Sequence, residues 1–157
     1  MANFLEQLVV EWLEFQGYFV RRNVKVGRRP LGGYECELDV VAYHPIEKRL
    51  VHYEPSTDSH SWDTREKRFS QKFKAGQKYI PRIFDGLEDL PNLEQIALLA
   101  YASTKDRAAI GGGSLITVKD FMLDIRSKLK DRDPSKAAVS EQFQILRALQ
   151  FAAHHWR

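Results

Sequence analysis

Two neighbouring segments decide the fold: YECELDVVAYH at residues 34–44 and RLVHYEPS at residues 49–56. Both are rich in β-branched and aromatic residues, which is typical of strands, and residues 45–48 between them have the composition of a turn. A four-residue turn predicts an antiparallel hairpin in which His44 pairs with Arg49. Continuing that register along the strands places Asp39 directly opposite Glu54.

The two opposed carboxylates predict a metal site. Directly opposed residues have Cβ atoms about 4.5–5.5 Å apart, so Asp39 and Glu54 would meet near the middle of the sheet. Like charges at such a place destabilise the sheet, since burial adds a desolvation cost. A divalent cation removes this penalty, and Mg²⁺ at phosphate-transfer sites is commonly held by one or two carboxylates and water. Such an ion polarises a phosphoryl oxygen and turns a bound water into a nucleophile.

Working outward from the hairpin, the periodicity predicts an α/β fold. The predicted elements are a helix over 3–16, strands over 18–26, 34–44 and 49–57, a helix over 62–80 ended by Pro81, a strand over 95–102, and helices over 118–129 and 141–156. Residues 111–113, three glycines, are predicted to form a loop. This order gives a mixed sheet with helices on its faces.

The composition predicts one domain spanning residues 1–157. No stretch approaches the ~18 consecutive apolar residues of a membrane span, and the first residues lack the basic region of a secretory signal. The single cysteine, Cys36, excludes an intrachain disulfide. We therefore expect a cytoplasmic protein with no membrane partner.

Charge is sorted along the chain, although the formal total is only +3. Residues 35–60 carry six acidic and two basic side chains, whereas residues 61–82 carry seven basic and two acidic ones. Such runs are usually solvated faces. They bear on function if the basic helix packs on the acidic hairpin, because Lys and Arg supply the salt-sensitive part of nucleic-acid affinity.

The order of the elements and their motifs resemble the PD-(D/E)XK (restriction-endonuclease-like) nuclease superfamily. The resemblance rests on ELDVVA at residues 37–42, followed by a hairpin into HYEPS at residues 52–56. It covers an αβββαβ core at about residues 4–102, with a C-terminal helical extension over about 118–157.

The resemblance also implies roles for individual residues. Asp39 and Glu54 correspond to the acidic metal ligands of the superfamily, and Glu11 on the first helix matches an additional acidic residue that many members place beside the metal. The expected cofactor is Mg²⁺ or Mn²⁺. The implied activity is metal-dependent hydrolysis of phosphodiester bonds in DNA by an attacking water.

The chain departs from the motif at Ser56, which stands where the superfamily has a lysine that orients or activates the water. Some members supply this lysine from the following helix, and Lys72 is the candidate here because it flanks the apolar ridge that must face the sheet. Ser56 would instead hold a water or a phosphate oxygen. Arg65 and Arg68, together with Lys72, would contact the nucleic acid.

Other interpretations of the same residues stay open. The sequence is also consistent with Asp39 and Glu54 being carboxylates that pair with Lys or Arg. It is likewise consistent with Glu11 being a solvated helix residue. The whole chain is consistent with a nuclease fold that has lost its reaction and binds nucleic acid or a protein. The C-terminal helices, with Leu146, Leu149 and Phe151, would suit a partner or a second copy in a homodimer.

Overall fold

The computed structural model describes residues 3–103 and 107–156, which form a mixed six-stranded sheet and four helices. The helices are α1 (Phe4–Phe15), α2 (Trp62–Ile83), α3 (Val118–Leu129) and α4 (Gln144–His155). The strands are β1 (Phe19–Arg28), β2 (Tyr34–His44), β3 (Arg49–Ser56), β4 (Leu93–Leu99), β5 (Ala109–Ile110) and β6 (Gly113–Thr117). Their order in the sheet is β1-β2-β3-β4-β6-β5. The predicted α/β class is confirmed.

Side-chain caps set where the long helices begin. Asn3 accepts a hydrogen bond from the backbone of Glu6 at the start of α1, and Ser61 accepts one from Thr64 at the start of α2. Such caps satisfy backbone donors that have no partner within a helix. Helix α2 runs two residues past Pro81, where the prediction ended it, because the fixed φ of proline near −65° is itself compatible with a helical turn.

The hairpin of β2 and β3 has the predicted register, with His44 opposite Arg49 and Val40 opposite Tyr53. Their ladder ends at that second pair. Beyond it β2 continues beside β1, while β3 continues parallel to β4 as far as Ser56. The two central strands therefore separate at the level of Asp39 and Glu54.

The alternation of side chains between the two faces of β2 also changes at this level. Leu38 and Val41 are three residues apart, which places them on opposite faces of a regular strand, yet both pack in the same apolar cluster beneath α2. On β1, Asn23 lies between the partners of Leu38 and Val40 and has a φ of 53°. This left-handed conformation is one that Asn adopts more readily than most residues.

Helices cover the central strands on both faces, as the apolar run in β2 predicts. Val40 and Ala42 pack with α1, α3 and α4, whereas Val41 packs under α2 against Ile80. Helix α2 is the predicted basic helix, and it lies on the acidic hairpin. The charge segregation along the chain thus becomes a contact between opposite charges.

The predicted glycine loop at residues 111–113 is the turn of an additional hairpin. Gly111 and Gly112 have φ of 60° and 88° between β5 and β6. Strand β6 then runs parallel to β4. The sequence pattern missed this hairpin because β5 is only two residues long, too short to show an alternation.

The C-terminal helix α4 packs into the core of the same domain. Leu146 is fully buried and Leu149 packs against that core, so the surface predicted for a partner or a dimer is reduced to Phe151, which is 47% exposed. No helix in residues 3–103 and 107–156 is long and apolar enough to span a bilayer.

Candidate active site

Asp39 and Glu54 meet where β2 and β3 separate. Glu54 is 2% exposed, and its Oε1 accepts a hydrogen bond from the backbone N–H of Asp39 at 3.0 Å. Since the ladder between the two strands has ended, the Glu54 carboxylate takes the place of a strand carbonyl as acceptor for this N–H. The separation of the strands thus gives the carboxylate a position that a regular sheet would not provide.

Lys72 reaches both carboxylates from α2. Its Nζ lies 3.0 Å from Oδ1 of Asp39 and 3.1 Å from Oε2 of Glu54, and it donates to the backbone carbonyl of Glu37. The helix that follows β3 therefore delivers an ammonium group to the acidic pair, as the sequence predicted. The same contacts also match the simpler interpretation of the pair as partners of a lysine.

Electrostatics separate the two carboxyl groups. Burial and repulsion from Glu54 raise the pKa of Asp39 to about 7. Burial alone would raise the pKa of Glu54 as well, but the hydrogen bond from His52 and the charge of Lys72 outweigh it and lower that pKa. Desolvation opposes the charge of Lys72, yet the two carboxylates raise its pKa, so this side chain is a cation at neutral pH. Of the two coupled carboxyl groups, Asp39 is thus the one whose pKa is raised.

A buried chain of polar groups supports Glu54 from behind. His52 is fully buried, with Nε2 2.8 Å from Oε1 of Glu54 and Nδ1 3.1 Å from Nε2 of Gln95. Gln95 also donates to the carbonyl of Phe73 and accepts from Gln77. The alternation of side chains along a strand places His52 on the face of Glu54. No sequence pattern indicates Gln95, which follows Glu94 and precedes the apolar residues 96–99 of β4.

Gly76→Ala is expected to disturb this chain and to destabilise the protein. A Cβ on Gly76 would lie 2.5 Å from Nδ1 of His52 and 2.7 Å from Nε2 of Gln95, closer than such atoms approach in proteins. Overpacking of this kind costs about 1–3 kcal/mol. The free energy of unfolding from urea titration measures the loss, with Ala75→Gly on the neighbouring half-buried position as the comparison. Equal stability of wild type and Gly76→Ala would show that α2 can move away from β3 without cost.

Arg65 and Arg68, both predicted to contact phosphate, differ in the exposure of their side chains. Arg65 is 3% exposed and donates to the backbone carbonyls of Asp58 and Tyr101. Its assignment as a nucleic-acid contact is therefore corrected, because its donors hold the loop after β3. Arg68 is partly exposed and lies 2.6 Å from Oδ2 of Asp58 and 3.1 Å from Oγ of Ser56.

Ser56, the last residue of β3, is hydrogen bonded to Asp58. Burial opposes ionisation of Asp58, but its hydrogen bonds with Ser56 and Arg68 outweigh burial and hold its pKa below the usual range. The sequence showed Asp58 only as part of an acidic run. In the structure this carboxylate organises Ser56, Arg65 and Arg68 at one edge of the site.

Glu11 does not join Asp39 and Glu54, and its predicted position is corrected. Its carboxylate is 2% exposed and accepts from the backbone N–H of Leu146 at 2.8 Å and from Gln7 at 3.0 Å. It thus satisfies the start of α4, where no side chain of that helix forms a cap. Helical periodicity places Glu11 at the border of the apolar stripe of α1 but does not tell which neighbouring element it meets.

Glu6 is the α1 carboxylate that lines the site. It borders the same cavity of about 310 Å³ as Asp39, Glu54 and Lys72. Desolvation and repulsion from Glu54 raise the pKa of Glu6. Sequence reasoning missed this residue because it lies away from the apolar stripe of α1, as a solvated side chain does. A side chain that lines an open cavity at the end of a helix shows the same pattern.

The donors at the site fit a hard cation better than a soft one. They are carboxylate oxygens beside a cavity large enough for water, and oxygen ligands with retained water are what Mg²⁺ prefers. Within the described ranges no group of three or more His, Cys, Asp or Glu side chains is arranged to hold a metal ion. An ion here would thus be held by Asp39 and Glu54 and completed by water.

Comparison with known proteins leaves the chemistry to be inferred from this geometry. No protein-family model matches the chain, and no curated protein matches it. The convergence of Asp39, Glu54 and Lys72 and the position of Arg68 beside them are therefore the basis for assigning a function.

Proposed function

We propose that the protein is a metal-dependent nuclease with a restriction-endonuclease-like core that hydrolyses phosphodiester bonds in DNA. The observation that carries the proposal is the position of Lys72, whose Nζ lies within 3.1 Å of both Asp39 and Glu54. Residues from β2, β3 and α2 thus supply two anionic groups and one cation to a single open cavity. The order of elements from α1 to β4 supports the same fold.

The residues of the site have distinct roles in this proposal. Mg²⁺ held by Asp39 and Glu54 would supply Lewis-acid stabilisation of a phosphoryl oxygen and lower the pKa of a water. Lys72 remains protonated, so it orients the attacking water or stabilises negative charge and does not remove the proton itself. Arg68 borders the cavity with a partly exposed guanidinium, which suits a phosphate oxygen.

The basic side chains of β1 and of the turn after it support a nucleic acid as the substrate. Residues 18–33 contain five basic side chains and no acidic one. All five are exposed: Arg21, Arg22, Lys25, Arg28 and Arg29. Helix α2 packs on one face of the pair formed by β1 and the first half of β2, where Val24, Val26 and Leu38 are buried. The five basic side chains therefore suit contacts with phosphates along a nucleic-acid backbone, whose strength falls as salt increases.

Lys72→Met is expected to lower the rate of DNA cleavage by about 10²–10³-fold, the usual effect of losing one group that stabilises transition-state charge. Binding of Mn²⁺ is expected to be retained or tightened, because the substitution removes a cation that competes for the same oxygens. Cleavage of supercoiled plasmid with Mg²⁺ and calorimetric titration with Mn²⁺ measure the two effects. Lys67→Met, at an exposed position of the same helix, is the matched control.

The outcomes of this experiment test the proposal directly. Loss of cleavage with intact metal binding in Lys72→Met, and wild-type behaviour in Lys67→Met, would support it. Wild-type cleavage by Lys72→Met would remove Lys72 from the reaction. Absence of cleavage by the wild type on plasmid, linear and single-stranded DNA with either Mg²⁺ or Mn²⁺ would reject the nuclease.

A second candidate function is a nucleic-acid-binding module that retains the fold without the reaction. The observation that favours it is again Lys72, because its ion pairs neutralise Asp39 and Glu54 without a metal, and Ser56 replaces the motif lysine. This module would bind DNA with an affinity that falls as salt increases. It would bind no Mn²⁺, which distinguishes it from the nuclease.

A further inference from the structure

The contacts of the Glu54 carboxylate use its two oxygens unequally. Each carboxylate oxygen offers about two acceptor positions. Oε1 accepts from the backbone N–H of Asp39 at 3.0 Å and faces Nε2 of His52 at 2.8 Å. Oε2 has the ammonium of Lys72 at 3.1 Å. The carboxyl group of Asp39 is also hydrogen bonded to that of Glu54. A cation held by both residues would replace the proton of this bond, and because the two positions of Oε1 are filled, it would meet Glu54 at Oε2.

The hydrogen bonds of Gln95 determine which nitrogen of His52 carries the proton. The amide nitrogen of Gln95 lies 2.8 Å from the carbonyl oxygen of Phe73, which can only accept. The same nitrogen lies 3.1 Å from Nδ1 of His52, so Nδ1 is an acceptor as well. The proton of the neutral ring must then be on Nε2, where it is donated to Glu54.

Packing prevents the His52 ring from turning away. The side chain is fully buried, with its ring edge-on to Phe73 at 5.4 Å between centroids. On another side it lies against the backbone of Gly76, where even a Cβ would come within 2.5 Å of Nδ1. The hydrogen bond from Nε2 to Oε1 of Glu54 is therefore held in place by the core and not by the site alone.

We propose that His52 is a positioning residue that makes Glu54 present a single oxygen, Oε2, to a bound cation, and so favours Mg²⁺ or Mn²⁺ over Ca²⁺. This rests on the proposed function, because it requires that Asp39 and Glu54 hold the ion. Ca²⁺ takes 6–8 oxygen ligands and readily uses both oxygens of a carboxylate, whereas Mg²⁺ takes one or two carboxylates and keeps several waters. A Glu54 that offers one oxygen suits the second kind of ion.

Calorimetric titration of the metal-free full chain with MnCl₂ and with CaCl₂ tests this inference. The wild type is expected to bind Mn²⁺ more tightly than Ca²⁺. His52→Leu removes the donor but keeps a large side chain, and we expect the Mn²⁺ affinity to fall about 10–100-fold, as is usual when a group that orients a metal ligand is lost. The Ca²⁺ affinity should fall less, because both oxygens of Glu54 become available to it.

Two further variants separate positioning from a general loss of structure. His52→Gln keeps an N–H donor that can reach Glu54 and is expected to restore most of the preference for Mn²⁺. His44→Leu is the matched control, since His44 is also a buried histidine on the hairpin but is hydrogen bonded to Gln16 and Glu47, away from the site. It should lower the melting temperature and leave the ratio of the two affinities unchanged.

The possible results separate this inference from the proposed function. An unchanged ratio of Mn²⁺ to Ca²⁺ affinity in a folded His52→Leu protein overturns the inference but leaves the metal-dependent nuclease standing. No binding of either ion by the wild type overturns both. If His52→Leu shows no cooperative melting, Gln95→Leu takes its place, because it removes the donor that keeps Nδ1 unprotonated. Gln95→Leu is then expected to lower the ratio of Mn²⁺ to Ca²⁺ affinity, as described for His52→Leu. An unchanged ratio again overturns the inference.

Discussion

Asp39→Asn is expected to abolish Mg²⁺-dependent DNA cleavage and, at the same time, to stabilise the metal-free protein. A metal ion supplies several kcal/mol of transition-state stabilisation, and each ~1.4 kcal/mol is a factor of ten in rate. Loss of one of two carboxylate ligands should therefore lower the cleavage rate by about 10³-fold or more. Plasmid cleavage at saturating Mg²⁺ measures this effect.

The gain in stability follows from the raised pKa of Asp39. In the unfolded chain this carboxyl group titrates near 3.8, whereas in the folded protein its pKa is about 7. Between these values the folded state holds a proton that the unfolded state has released, so stability falls as the pH rises through this window and stays lower above it. The amide side chain of the Asp39→Asn variant does not titrate, so the variant avoids this loss.

Thermal melts in EDTA at pH 4 and pH 8 check the second half of the prediction. The difference in melting temperature between Asp39→Asn and the wild type should be larger at pH 8, since the wild-type carboxyl group is ionised there in both states. A gain of 1 kcal/mol corresponds to roughly 2–4 °C for a protein of this size. Equal melting temperatures of Asp39→Asn and the wild type at pH 8 would show that the ion pair with Lys72 fully offsets the cost of burying the Asp39 carboxylate.

Glu11→Ala should destabilise the protein strongly, although Glu11 lies outside the candidate active site. It leaves the N–H of Leu146 without its acceptor and opens a cavity between α1 and α4. A lost helix cap costs about 0.5–2 kcal/mol and a core cavity adds to it. We therefore expect a loss of about 3 kcal/mol, or roughly 6–12 °C in melting temperature. Glu14→Ala, at an exposed position of the same helix, is the control.

The conservative variant Glu11→Gln tests whether this residue has any part in metal binding. Its amide oxygen can still accept from Leu146, so the protein should remain folded, with the Mn²⁺ affinity and cleavage rate of the wild type. A folded Glu11→Gln protein that loses both would return Glu11 to the metal site that the family resemblance predicted for it.

The sequence predicted those parts of the site that depend on short-range geometry. The length of the turn after His44 determines the hairpin register, which brings Asp39 and Glu54 to the same level of the sheet. The direct pairing predicted for them was wrong, because the ladder ends one pair earlier, at Val40 and Tyr53. Lys72 was predictable because helical periodicity places it beside the buried ridge of α2. These inferences need only the chain direction and the regular geometry of a strand or a helix.

The rest depends on contacts between elements that are distant in the chain. Glu6 and Glu11 lie five residues apart on α1, and only the packing of α4 against that helix decides which carboxylate is buried under it. The change of faces at Asp39 depends on the conformation of Asn23 in another strand. A helical pattern does not show that Arg65 is buried and Arg68 partly exposed, because Asp58 contacts both and only Arg65 also reaches the carbonyl of Tyr101 after β4.

The bond between Glu11 and Leu146 also has a consequence for the order in which the chain can fold during synthesis. The two residues are 135 positions apart, so α1 is made well before α4 and cannot complete its hydrogen bonding until α4 has left the ribosome. Until then the Glu11 carboxylate has no helix start to accept from. A nascent chain arrested before residue 146 should therefore be open to proteases.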